Sequence, residues 1–142
     1  MQSAAIPFRS TPTGDIEVLL ITSRRNRRWI IPKGKVARGM LPHRSAAKEA
    51  MEEAGVVGVI ENVPLAEYVQ TKLALDGEPQ SVRVRAFPLK VTSELQRWPE
   101  DHQRERRWLP LNEAIRCIDD HAIRTVLKRF ATRAYRQAAI GD

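Results

Sequence analysis

Short runs of aliphatic and β-branched residues alternate with polar stretches broken by glycine and proline along most of the chain. The densest run, Ile16–Thr22, predicts a strand. A first strand is expected over residues 4–9, parted from it by a turn at 11–15 that carries Pro12 and Gly14. Residues 29–31 form a brief apolar segment stopped by Pro32. Further strands are expected over Val56–Ile60, 65–71, 81–92 and 107–109, with a hairpin-like turn at Asp76, Gly77 and Pro79. Pro88 lacks a backbone donor and should break or bend the long strand that contains it. Residues 93–103 read as a polar loop holding Trp98 and Pro99.

Three segments carry the helical period instead. Residues 111–118 predict a short helix and 121–136 a long one, whose apolar stripe is Ile123, Val126, Leu127, Phe130, Ala131 and Ala134. The third starts near Pro42, since proline suits a first helical position, and ends at Gly55, since glycine suits the residue past the end. The order of elements implies an α/β chain with a mixed sheet covered by helices on both faces. No repeat or linker divides it, so residues 1–142 are expected to form a single domain.

The helix that opens at Pro42 holds the candidate chemistry. At about 100° per residue, Ala47, Ala50, Met51 and Ala54 share a core-facing arc, and Glu49, Glu52 and Glu53 share the opposite one. Like charges three and four residues apart repel on a helix surface. A divalent cation would reverse the sign of that interaction. Oxygen ligands favour magnesium, or manganese, over zinc, and a carboxylate beside the ion can deprotonate a water. Geometry alone leaves an ordinary solvated acidic face open as the alternative.

Composition narrows the class. Hydrophobic residues make up 42% and charged residues 29%, which excludes a disordered chain, and no apolar run is long enough to span a bilayer. The start shows no signal-peptide pattern, so a cytoplasmic protein with no membrane partner is expected. Cys117 stands alone, which excludes an internal disulfide and a cysteine-based zinc site, and it is expected to be a small buried hydrophobe. The net charge of +7 favours an anionic partner. The cations cluster at Arg24, Arg25, Arg27, Arg28, Lys33 and Lys35, at Arg104, Arg106 and Arg107, and along residues 124–136. No nucleic-acid-binding motif accompanies them, so a polyphosphorylated small molecule is the expected partner and nucleic acid is disfavoured. Trp29 and Trp108 are expected to pack in the core. His43, His102 and His121 lack metal-ligand spacing.

The stretch from Gly34 to Val56 resembles the Nudix box, G-x5-E-x7-R-E-U-x-E-E-x-G-U. Gly34, Glu49, Ala50, Glu52, Glu53, Gly55 and Val56 match; Met40 stands where the family has glutamate and Lys48 where it has arginine. The resemblance implies a Nudix-type α/β/α sandwich and hydrolysis of a nucleoside diphosphate linked to another moiety, or of a related polyphosphate. It implies magnesium ligation by Glu49 and Glu53, helped by the Gly34 carbonyl, and water activation by Glu52. Lys48 keeps the charge of arginine without its bidentate fork. Those two departures leave open a Nudix-fold ligand-binding module with weakened catalysis.

Phe8-Arg9-Ser10, the segment from Glu17 to Arg25, Arg28-Trp29-Ile30-Ile31-Pro32-Lys33-Gly34 and Arg106-Arg107-Trp108-Leu109 are similar to the diphosphoinositol polyphosphate phosphohydrolase branch. The charge pattern fits such a substrate. Arg9, Ser23, Arg24, Arg25, Lys33 and Lys35 surround the box in sequence, and Arg83 and Arg85 alternate with Val82 and Val84 on one strand face. These groups are the candidates for clamping several phosphates.

Overall fold

The structure, a computed structural model, describes residues 1–140, with side chains as far as Gln137. Eight strands form one sheet: β1 (Gln2–Ser10), β2 (Ile16–Thr22), β3 (Trp29–Ile30), β4 (Lys33–Lys35), β5 (Val56–Ile60), β6 (Ala66–Leu73), β7 (Pro79–Glu94) and β8 (Arg106–Pro110). The path β3-β2-β1-β7-β5 forms its spine, with β8 on β2, β4 on β1 and β6 on β7. β1 and β7 run parallel and every other pair antiparallel, so the sheet is mixed.

Helices cover both faces. Ala4, Ile6, Val18, Leu20, Val84 and Ala86 pack against α2 (Leu111–Cys117) and α3 (His121–Ile140), where Leu111, Ala114, Ile123, Val126, Leu127 and Phe130 meet them. Ala5, Leu19, Ile21, Phe87 and Leu89 point the other way, onto Ala46, Ala50 and Ala54. Neighbouring residues of β1 and β2 thus serve opposite cores, which is why both strands read as continuous apolar runs. Among the described residues no helix is long and apolar enough to cross a membrane.

Four expectations need correction. Pro88 does not break β7: it pairs in register with Ile6 and its carbonyl accepts the Glu61 N–H at 3.0 Å. It sits where the antiparallel neighbour changes from β6, which ends at Ala86, to β5, which begins at Leu89, so no ladder bond needs its missing donor. Cys117 is exposed, because Leu111, Ala114 and Ile118 take the buried positions around it. The buried stripe of the box helix is Ser45, Ala46, Ala50 and Ala54, with Ala47 and Met51 only half-buried. Trp29 and Trp108 are likewise half-buried, packed at the margins of the two cores.

Candidate active site

The box helix is two unlike pieces. Pro42–Glu49 (α1) is regular and follows Leu41, with proline in its first turn. Ala50–Ala54 winds as a wider π-helical turn, in which the Gly55 N–H reaches the carbonyls of both Ala50 and Met51. Gly55 then ends the helix at φ 68°, a left-handed conformation that glycine adopts without strain. Side chains four apart are neighbours on the helix surface. Glu49 and Glu53 are four apart, and both turn their carboxyls to the strand that carries Lys33 and Gly34. Glu52 is carried round to Lys48, whose ammonium lies 3.1 Å from its carboxylate.

Gly34 closes the other side. A side chain there would meet the Glu49 carboxylate oxygens at 2.6 and 2.7 Å, so only glycine leaves room for that carboxylate. The neighbouring Lys33 N–H donates to Glu53 Oε1 at 3.2 Å. Glu53 is 7% exposed. Burial, opposed by Arg104 and reinforced by Glu49, pushes its carboxyl up to about 8. Burial also raises Glu49, with repulsion from Glu52 and Glu100 added. Two adjoining acids whose neutral forms burial favours make a pair of hard oxygen donors that a divalent cation fits. Among the described residues no three acidic, histidine or cysteine side chains already converge as a ligand set, because Glu52 faces Lys48.

A segment between β7 and β8 covers the slot. Glu100 N–H donates to the Glu52 carbonyl at 3.0 Å, and Trp98 Nε1 to the Glu53 carbonyl at 3.1 Å. Arg106 donates to the carbonyls of Ala54 at 3.1 Å, Gly55 at 3.2 Å and Leu95 at 2.8 Å, and stacks over Trp98 at 3.9 Å. Carbonyls that a helix end would leave without partners are therefore all taken up by one loop. Arg104, buried beneath it, bonds Glu100 Oε1 at 2.9 Å and the Thr22 carbonyl at 3.0 Å.

Residues 2–130 match the profile of the NUDIX domain. This chain belongs to the Nudix family. It is 33% identical over 118 residues to Nudix hydrolase 12, mitochondrial, of Arabidopsis thaliana, covering 81% of this chain and 58% of that relative. It is 32% identical over 123 residues to diphosphoinositol polyphosphate phosphohydrolase 3-alpha of Mus musculus, covering 84% of this chain and 70% of that protein. The chain thus spans about three fifths of the length of the first of these relatives. Among solved structures, the C. elegans Ap4A hydrolase in a binary complex superposes with a TM-score of 0.68 at 25% identity, covering 92% of this chain and 94% of that one. The NUDIX domain of Shewanella oneidensis NrtR, complexed with ADP ribose, superposes at 0.71 with 14% identity, covering 93% and 86%. That likeness is one of fold.

The Nudix fold gathers some of the expected residues and disperses others. Gly34, Glu49 and Glu53 meet, with Glu52 one step round the helix. Arg24 and Arg25 lie exposed in the loop after β2, and Arg24 bonds Gln103 at 3.2 Å, which ties that loop to the segment over the slot. The Ser23 hydroxyl is used inside its own turn, accepting from the Arg28 N–H at 3.0 Å. Lys35 is exposed. Lys33 turns its ammonium away from the carboxylates to Gln70, which bonds Asp120 at 3.3 Å; burial lowers the Lys33 pKa, and Asp120 and Glu53 partly restore it. Arg9 is engaged elsewhere, by Glu17 at 2.8 Å, by Glu94 at 3.6 Å and over the Trp108 ring at 4.1 Å. Arg83 is exposed, and Arg85 pairs with Glu67 at 3.3 Å on the sheet face that also carries Phe87 and Leu89. Sequence reasoning missed Glu100, and saw Trp98, Arg104 and Arg106 only as parts of a loop and a basic cluster. Their partners are backbone carbonyls and acids some fifty residues away, which no local pattern discloses.

Proposed function

We propose that this chain is a metal-dependent pyrophosphohydrolase that cleaves a phosphoanhydride bond in a densely anionic substrate. The juxtaposition of Glu49 and Glu53 against Gly34 carries the reading. These two carboxylates would hold magnesium or manganese, and the Gly34 carbonyl would complete the protein's share. The ion supplies neutralisation of phosphate oxygens and a lowered pKa for water. Glu52, whose side chain is 30% exposed where that of Glu53 is 9%, is the carboxylate open enough to take a proton from an attacking water. Lys48 orients it. The exposed arginines Arg24 and Arg25, with Lys35, would receive the phosphates, while Arg83 and Arg85 extend the same charge along β7. Arg9 and the Lys33 ammonium would join only by leaving their present partners.

The mouse relative's name and the worm structure's substrate point to two candidates, diphosphoinositol polyphosphates and diadenosine polyphosphates. Other nucleoside diphosphate derivatives belong to the same chemical class. The expectation of a cytoplasmic protein gains nothing from the plant relatives, several of which are named mitochondrial or chloroplastic. A panel of these polyphosphates, assayed with magnesium, with manganese and with a chelator, tests the proposal. Turnover of at least one that the chelator abolishes is the expected result; no turnover with either metal would overturn it. The pairing of Glu52 with Lys48 and the absent carboxylate at Met40 favour a second reading, a ligand-binding module with little catalysis. Tight binding without turnover, indifferent to metal, would establish it.

A further inference from the structure

Of the chain's many arginines, most of those near the site are exposed, but Arg104 is 7% exposed along its side chain. Its guanidinium has two hydrogen-bond acceptors and one further carboxylate at ion-pair range, each facing a different nitrogen. Nε donates to Glu100 Oε1 at 2.9 Å, Nη1 donates to the Thr22 carbonyl at the end of β2 at 3.0 Å, and Nη2 lies 3.8 Å from Glu53 Oε1. The Thr22 hydroxyl meanwhile accepts from the Glu105 N–H at 2.9 Å, so the anchor at β2 is itself doubled. A planar fork fixed at the sheet and reaching two carboxylates sets where those carboxylates stand.

We infer that Arg104 is a positioning residue: it holds Glu53 and Glu100 from beneath so that the Glu49–Glu53 slot keeps the spacing a divalent cation needs. The inference rests on the metal reading above. Glu49, Glu53 and Glu100 gather three carboxyls beside one permanent positive charge. Once ionised around an incoming cation they outnumber it, and Arg104 keeps them from splaying apart. Two roles for Arg104 predict opposite signs. If it served only as a neighbouring charge, its removal would relieve repulsion and tighten metal binding. If it positions the carboxylates, its removal loosens the site, and losses in affinity of about 10- to 100-fold are typical when an outer partner of a metal ligand is lost.

Manganese titrations followed by electron paramagnetic resonance of the free ion, without substrate, separate these outcomes. Arg104→Gln is expected to weaken manganese binding by at least about tenfold. Arg104→Lys keeps the buried charge and perturbs packing less, so it serves if the glutamine variant does not fold. It is also expected to weaken binding, because an ammonium cannot span three separated partners. Unchanged or tighter manganese binding in a folded variant, by circular dichroism, overturns the inference. Wild-type protein that binds no manganese overturns the metal reading, and this inference with it.

Discussion

The carboxylate of Glu49 occupies the space a side chain on Gly34 would fill, with its oxygens 2.6 and 2.7 Å from an ideal Cβ. Gly34 is held in β4 by pairing with Ser3, so the strand cannot easily retreat. Gly34→Ala should therefore push Glu49 out of line with Glu53 while leaving the fold largely intact. A loss of metal affinity of about tenfold or more, with a circular dichroism spectrum like that of wild type, is expected. Equal manganese affinity in the two proteins would show that Glu49 has another place to go.

Metal-free protein should lose stability as pH rises. The Glu53 carboxyl titrates at about 8 in the fold against an ordinary 4.5, chiefly through burial, so between those values the native state binds more protons than the unfolded chain. Its contribution is complete below about pH 4.5 and disappears as pH passes 8. Glu49 shifts in the same direction. Urea unfolding in chelator across this range should show the decline, and Glu53→Gln should flatten it. Stability rising from pH 5 to 8 in chelator, at a slope Glu53→Gln leaves unchanged, would exclude a buried protonated acid.

Arg106 matters for the fold more than for ligands. Its guanidinium donates to the carbonyls of Ala54, Gly55 and Leu95. Arg106→Ala would leave those acceptors short of donors and uncover Trp98, at a cost of about 2–4 kcal/mol. Chemical denaturation measures this directly. A loss below about 0.5 kcal/mol would place the clamp on the surface, where such contacts contribute little.

β1 and β2 were legible because each had to supply two cores. Val18 and Leu20 serve one face and Leu19 and Ile21 the other, so β2 could be read as apolar throughout. The stripe of α3 was legible for the complementary reason: only one side of it is buried. The winding of residues 50–54 was not legible. Ala50, Met51, Glu52, Glu53 and Ala54 are good α-formers, and the π-turn becomes tenable only because distant Trp98, Glu100 and Arg106 satisfy its carbonyls. Three glutamates on one helical face were visible in the sequence. That Glu49 and Glu53 would turn to the strand of Gly34 while Glu52 turned to Lys48 was not, because both contacts are made with groups the helix period does not choose between. The present partners of Arg9 and Lys33, which are Glu17, Glu94 and Gln70, were not legible, because they arrive from other strands.

Met40→Glu restores the acid that the family pattern places in the loop before α1. If weak metal retention limits the proposed activity, this variant should bind manganese more tightly and turn over at least a few-fold faster at low metal. Slower turnover, or weaker metal binding, would mean the loop at Met40 does not face the slot.

In the proposed mechanism Glu52 activates water at a metal held by Glu49 and Glu53. The most direct test is the magnesium-dependent rate of substrate hydrolysis by Glu52→Gln, using the best substrate from the polyphosphate panel. Removing a general base typically costs 10²- to 10⁴-fold, so a drop of about that size is expected, with manganese affinity nearly unchanged. A Glu52→Gln protein that hydrolyses the substrate at the wild-type rate would contradict the account.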